Sequence, residues 1–330
     1  MAETNMRSLT GIRASGEIHL GNYLGMIKPA LAYQGDFQCL YFIADLHALT
    51  TNKNPELLRE KTLDIVATWL ALGFDHEKSL IYRQSDLPMV TEFAWYLSVC
   101  TGMGLLEKGH QYKDAVANDR EVNHGVFSYP VLMAADITMY DADQVPVGKD
   151  QKQHVEMARD MAGSFNALYG ADIIKLPKVV IKEDVMLIPG LDGRKMSKSY
   201  DNIIPLFCDE KTLRKKIMSI KTDSSDVQAT KSLKDSLLGQ LHLLFAGQSK
   251  HEDLESRLQQ GGVGWGHAKD ELFDAINREI GDARARFHEI SRDRTFLNAV
   301  LDSGADRARA IAVPVLNRVR EAVGLRSVSV

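Results

Sequence analysis

MRSLTGIRASGEIHLGNYLGMIKPALAY, residues 6–33, settles which kind of sheet this chain builds. Met6–Ile12 (MRSLTGI) reads as a short strand, and YLGMIKPALAY (23–33) reads as a helix. Between them ASGEIHLGNYLG (14–25) makes a turn that contains Gly16 and Gly21. Strand, glycine turn and helix in immediate succession is how a parallel sheet with covering helices begins. Four more apolar strand candidates follow: Cys39–Asp45, Leu80–Gln84, Gln144–Gly148 and Lys178–Lys182. Amphipathic stretches separate them. The clearest runs from Asn54 to Asp75, with Asn54 as N-cap, Pro55 in the first turn and Gly73 at the end. In such sheets ligands sit beyond the C-terminal strand ends, where the strand order switches direction.

After about residue 205 the strand signal stops. Charged, leucine-rich segments of helical period take over, among them DEKTLRKKIMSI (209–220), SLKDSLLGQLHLLFA (232–246) and KDELFDAINREIGDARARFHEI (269–290). The expected fold is therefore α/β: a Rossmann-like parallel-sheet domain over 1–204, then an all-α domain over 205–330. The 330 residues suit two domains, and 45% hydrophobic with 25% charged residues is ordinary globular composition. A net charge of −4 points to no polyanion partner, although a local basic patch would escape that total. Cys39, Cys100 and Cys208 are too few and too scattered for a disulfide framework or a zinc site, and read as free thiols. No apolar run is long enough to span a membrane, and the start lacks a signal pattern, so the expected location is cytoplasmic.

Two stretches carry chemistry. At a helix start, unpaired backbone N–H groups and the helix dipole favour an anion. His19 and Asn22, flanking Leu20 and Gly21, add side-chain donors, so HLGN suits a phosphate. The plainer reading makes His19 a surface residue and Gly21 a packing glycine. The second stretch, GLDGRKMSKSYDN (190–202), packs Arg194, Lys195 and Lys198 among Ser197 and Ser199. A mobile cationic loop of this kind can follow charge as it builds on a leaving pyrophosphate. Two lysines alone would read as a solvated charge run.

HLGN and KMSKS together resemble the paired HIGH and KMSKS signatures of class I aminoacyl-tRNA synthetases, in the same order and placement. YPVLMAADITMY (129–140) and VPVGKDQKQHVEMARD (145–160) resemble the tryptophanyl-tRNA synthetases within that class, in a divergent branch of bacterial type. The tyrosyl enzymes are the nearest relatives and differ around the aspartate of LMAAD. The resemblance implies a helical insertion at about 104–143 in the catalytic domain and an anticodon-reading C-terminal domain. It also implies a homodimer, with L-tryptophan and tRNA(Trp) as partners.

It implies a set of site residues too. Asp136 would accept the indole N–H in a slot shaped by Leu9, Gly11, Met133, Val145 and Val147, with His47 at its wall. Tyr129 and Gln151 would hold the amino and carboxylate groups. His19, Asn22, Lys195 and Lys198 would be catalytic, binding the phosphates of ATP and neutralising the leaving pyrophosphate. Arg13, Ala14, Ser15, Gly21, Gly148, Lys149, Asp150, Met196, Ser197 and Ser199 would complete the ATP site. Val185 or Met186 would border the adenine. Mg²⁺ would be carried by ATP rather than by protein ligands.

The sequence departs from the family pattern at several points. Arg13-Ala14-Ser15-Gly16 stands where Gln-Pro-Ser-Gly is usual, Leu46 where Gln is usual, and Lys149 where an acid is common. Ala115 replaces an expected ATP-directed lysine. Arg13 is a candidate to take over that lysine's phosphate contacts, since its fork binds phosphate bidentately. Three alternatives remain open at this point: an enzyme that stops at the adenylate, a silent paralogue that binds RNA or senses tryptophan, and tyrosyl specificity.

Overall fold

The computed structural model describes residues 6–14, 16–119, 121–148, 152–181 and 188–329. Its parallel sheet consists, among the described residues, of β1 (Arg7–Arg13), β2 (Gln38–Ala44), β3 (Leu80–Arg83), β4 (Gln144–Val147) and β5 (Lys178–Ile181), in the order β3-β2-β1-β4-β5. All five expected strands are present. The chain runs outward from β1 through β2 to β3, then crosses back to β4 and β5. The order therefore switches between β1 and β4, and the C-terminal ends of the strands around that point form the place for a site.

The helices are α1 (Leu20–Asn22), α2 (Lys28–Leu31), α3 (Asp45–Ala48), α4 (Pro55–Ala71), α5 (Met89–Ser98), α6 (Met103–Leu106), α7 (His110–Ala117), α8 (His124–Thr138), α9 (Lys152–Tyr169), α10 (Glu210–Met218), α11 (Leu237–Ala246), α12 (Gln248–Gln260), α13 (Trp265–Ile290) and α14 (Arg294–Ala322). Asn54 caps α4 as expected, accepting the backbone N–H groups of Glu56 and Leu57 at 3.0 Å. The helix expected over 23–33 is different in kind. A π turn, Tyr23–Ile27, joins α1 to α2, and the Lys28 N–H reaches back five residues to the Tyr23 carbonyl. Pro29 brings no N–H of its own and crowds the carbonyl four residues earlier, so the wider turn fits it. Between β3 and β4 lie α5, α6, α7 and α8, the last three over the stretch where the insertion is expected.

Packing divides the chain into two compact units, and the division is not a single cut at 204. The first unit comprises Met1–Ser15, Ala30–Val185 and Asp293–Val330. It holds the sheet and α14. Its core runs through Leu9, Leu40, Tyr82, Phe93, Val145 and Phe165 to Ala305, Ala308, Ala312 and Leu316 of α14. Arginines fasten that helix: Arg318 grips both oxygens of Asp141 at 2.7 and 3.2 Å, and Arg83 pairs with Asp302 at 2.7 Å. The second unit comprises Gly16–Pro29 and Met186–Arg292. Here the HLGN segment is tied by backbone bonds, Leu20 N–H to Ile204 O at 3.0 Å and Leu206 N–H to Ile18 O at 2.9 Å. Tyr23 Oη and Lys28 Nζ both donate to Glu279 of α13, at 2.8 and 2.6 Å. The helices α10–α13 bury Leu213, Leu241, Leu258, Leu272 and Ile276 around them.

Candidate active site

In the first unit a buried carboxylate stands above the sheet. Asp136 lies on α8 and is 2% exposed. Gln84, just past β3, donates its Nε2 to both oxygens at 2.8 Å. His47 of α3 places Nε2 2.9 Å from Oδ2. The Gln84 amide cannot turn over without loss, because its Oε1 accepts the His47 backbone N–H. These bonds use three of the roughly four acceptor positions of a carboxylate, so a fourth remains on Oδ1. Burial pushes the Asp136 carboxyl up, while His47 and Gln84 pull it back down. A second carboxylate, Asp45, is likewise pushed up by burial and is held by the Ser85 hydroxyl and backbone N–H. Leu9 and Val145 belong to the apolar core beside Asp136, and Met133 and Val147 pack against it. Gly11 is open on β1. A Cβ there would meet the Phe42 ring at 2.6 Å, which is why only glycine fits.

Tyr129 is buried one helical stretch before Asp136, with its ring 6.4 Å from that of His47. Its Oη lies 2.6 Å from His154 Nε2. Arg13, at the end of β1, donates to Thr50 and Thr51 Oγ1 at 3.3 and 3.0 Å, and its charge reaches Tyr129. Ala14 is fully buried beside it, Gly148 follows β4 half-buried, and Ala115 is buried on α7.

The second unit brings the two signatures together. His19 Nδ1 accepts the Asn22 N–H at 3.3 Å, and Asn22 Oδ1 accepts the His19 N–H at 3.1 Å. This capping box fixes the ring, so His19 Nε2–H and the Asn22 amide NH₂ are the groups left to donate. The expected free N–H groups at the helix start are absent here. Leu20 N–H goes to Ile204 O, Gly21 N–H to Met196 Sδ at 3.4 Å, and Asn22 N–H to His19. The backbone donors of this helix start are thus spent within the unit, one of them on Met196 of KMSKS, and the donors that remain are side-chain groups. Gly21 is required by that contact, as a Cβ would meet the His19 ring at 2.9 Å and Met196 Cβ at 3.3 Å.

Lys195 and Lys198 are exposed, and Lys198 Cδ would lie 3.3 Å from a Cβ on Gly16. Asn202 shapes this loop. It donates to Asp192 Oδ1 at 2.6 Å and Lys195 O at 3.1 Å, and accepts the Ser197 N–H at 2.8 Å. Ser15, Lys149, Asp150, Gln151, Val185 and Met186 lie outside the described residues, as does the side chain of Ser199.

The family model for tRNA synthetases class I (W and Y) matches residues 1–280. A tryptophan–tRNA ligase of Fusobacterium nucleatum is 45% identical over 319 residues, 97% of this chain and 98% of its own. That of Xylella fastidiosa is 46% identical over 98% of this chain and 77% of its own. The chain belongs to the tryptophan–tRNA ligases. A crystal structure of the Campylobacter jejuni tryptophanyl-tRNA synthetase, complexed with ADP and tryptophan, is 44% identical and superposes with a TM-score of 0.92, covering 97% of this chain and 100% of that one. A tyrosyl-tRNA synthetase of Aeropyrum pernix, at 17% identity and a TM-score of 0.66, shares the fold alone.

This ligase joins tryptophan to tRNA, and two residues that hold the buried carboxylates escape a reading of the sequence. Gln84 and Ser85 carry no motif. Their signal is their place, directly after an apolar strand, where parallel sheets present ligands. His19 yields a pH prediction. Burial, then the charge of Lys195, hold it down to about 4 against an ordinary 6.5. Between those values the unfolded chain binds a proton that the folded one refuses, so stability is full above about 6.5 and lost as pH falls towards 4. The thermal midpoint of His19→Asn is expected to fall less over that window than that of wild type. Equal slopes would show that His19 is not refusing the proton.

Proposed function

We propose that the ligase activates tryptophan in a pocket of the first unit whose indole acceptor is Asp136. One observation carries this reading: a buried carboxylate, aimed by Gln84 and His47, keeps an acceptor position free amid apolar walls. Indole offers a single polar group, an N–H, and phenylalanine offers none. A buried acceptor left unpaired costs ~1–3 kcal/mol, which rejects phenylalanine without editing. Leu9, Gly11, Met133, Val145 and Val147 shape the slot, and Tyr129 with Gln151 takes the amino and carboxylate groups.

ATP and Mg²⁺ serve as cosubstrate and counter-ion. The Campylobacter relative, complexed with ADP and tryptophan, supports an adenine nucleotide and tryptophan as ligands. His19 and Asn22 donate to phosphates through side chains. Lys195 and Lys198 neutralise charge on the departing pyrophosphate, and Arg13, Gly148 and the 195–199 loop complete the nucleotide contacts. Mg²⁺ enters carried by the phosphates of ATP. The tryptophan carboxylate attacks the α-phosphate, and the acyl group then passes to the 2′-hydroxyl of the terminal tRNA ribose. Side chains position and stabilise charge rather than react. The helices α10–α13 read the anticodon. Trp95, Val99 and Met103, 66%, 57% and 63% exposed at α5 and α6, support a second copy of the chain docking on that face.

Tryptophan-dependent ATP–pyrophosphate exchange, with tyrosine and phenylalanine as controls, is the first test. Exchange with tryptophan alone supports the pocket, and exchange with tyrosine as well sinks Asp136 as its selector. Arg13, at the end of β1, places its charge near Tyr129. Arg13→Gln is expected to raise the ATP KM about tenfold, the ~1.4 kcal/mol of one charge-assisted bond. An unchanged ATP KM would leave the missing lysine uncompensated.

A further inference from the structure

We propose that His154 is a positioning residue: it takes the phenolic proton of Tyr129 and so turns a lone pair of that oxygen towards the ammonium group of tryptophan. This rests on the reading that Tyr129 faces that group. Tyr129 and His154 are both buried, and Oη lies 2.6 Å from Nε2.

A phenol oxygen has one proton and two lone pairs. An ammonium group has only donors, so it binds a phenol only through a lone pair. If His154 Nε2 donated, it would fill one lone pair and leave the phenolic proton to point at the ammonium. With Nε2 bare, His154 accepts that proton and the lone pairs are left for substrate. The ring is also held in place. His154 sits in the first turn of α9, edge-on to Tyr129 at 5.6 Å and to His110 at 5.8 Å. His47 bounds Tyr129 on its other side and pairs with Asp136, so one buried network aims the acceptors for both nitrogens of tryptophan. The consequence is selectivity for the α-amino group, separate from selectivity for indole.

The test uses the full-length enzyme and two ligands: tryptophan, by its KM and kcat in pyrophosphate exchange, and indole-3-propionate, which lacks the amino group, by its inhibition constant. His154→Phe keeps a ring but no acceptor. It is expected to raise the tryptophan KM about tenfold, the scale of one lost hydrogen bond in a buried site, with the indole-3-propionate constant changed less than about twofold. His154→Gln, whose amide oxygen can take the phenolic proton, should recover most of the loss. His154→Met, flexible and similar in volume, replaces the Phe variant should that one not fold. Equal losses for both ligands would overturn the proposal, since packing alone would explain them. An unchanged tryptophan KM in His154→Phe, with Tyr129→Phe impaired, would also overturn it. A Tyr129→Phe enzyme with normal tryptophan KM would instead remove the underlying reading of Tyr129, and this proposal with it.

Discussion

Replacing Asp136 by Asn is expected to lower kcat/KM for tryptophan by about two to three orders of magnitude, the equivalent of ~3–4 kcal/mol for a disrupted buried hydrogen-bond centre. The change looks conservative and is not. Gln84 Nε2 straddles both carboxylate oxygens at 2.8 Å, so either orientation of an Asn amide sets an NH₂ group against an NH₂ group. Gln84 cannot turn to help, because its Oε1 holds the His47 backbone N–H. The indole N–H then loses its acceptor or the network loses its order. The same clash leaves buried donors unpaired, so some loss of stability accompanies the change. The expected signature is a large loss in tryptophan activation with an unchanged ATP KM. A loss below tenfold would remove Asp136 from the indole contact.

Gly304→Ala is expected to be the most damaging single methyl group in the first unit. A Cβ at Gly304 would lie 2.0 Å from the carbonyl oxygen of Ile81 and 2.8 Å from its carbonyl carbon. That is backbone of β3, held by its pairing with β2, and cannot swing aside. The helix α14 must lift from the sheet, which costs ~3 kcal/mol or more, at the top of the usual range for overpacking. At ~2–4 °C per kcal/mol in a large domain, the midpoint drops by about 6–12 °C. The control is the same substitution at Gly163 in α9, where a Cβ would meet nothing within 4 Å. There alanine should stabilise by ~0.5–1 kcal/mol through helix propensity. Thermal melts of both variants decide it. A Gly304→Ala midpoint within about 2 °C of wild type would mean that α14 does not lie on β3 as described.

Local patterns made much of this legible. Each of the five strands is a short apolar run bounded by polar residues, and the N-cap at Asn54 depends only on near neighbours. Features that depend on distant partners were hidden. The helix start at His19 looks like an open anion site in sequence, yet its N–H groups are consumed by Ile204 and Met196, more than 170 positions away. Gln84 carries no motif, and His154 lies in DQKQH with nothing in sequence to show its partner; β3 and α9 bring them to Asp136 and Tyr129.

The sequence by itself determined the parallel α/β class, the helical tail and, through HLGN, KMSKS and LMAAD, the enzyme family. These rest on periodicity and on contiguous residues, which a chain displays before it folds. Tertiary structure alone decided how the chain divides. The tail is not one body: α10–α13 pack with residues 16–29, while α14 returns to the sheet. Small residues let α14 approach a strand backbone, and its arginines find carboxylates and carbonyls of the sheet unit. Such complementarity exists only between surfaces, so no stretch of sequence shows it. The same holds for the tautomers of His19 and His154, which are set by whichever hydrogen-bond partner the fold places beside each ring nitrogen.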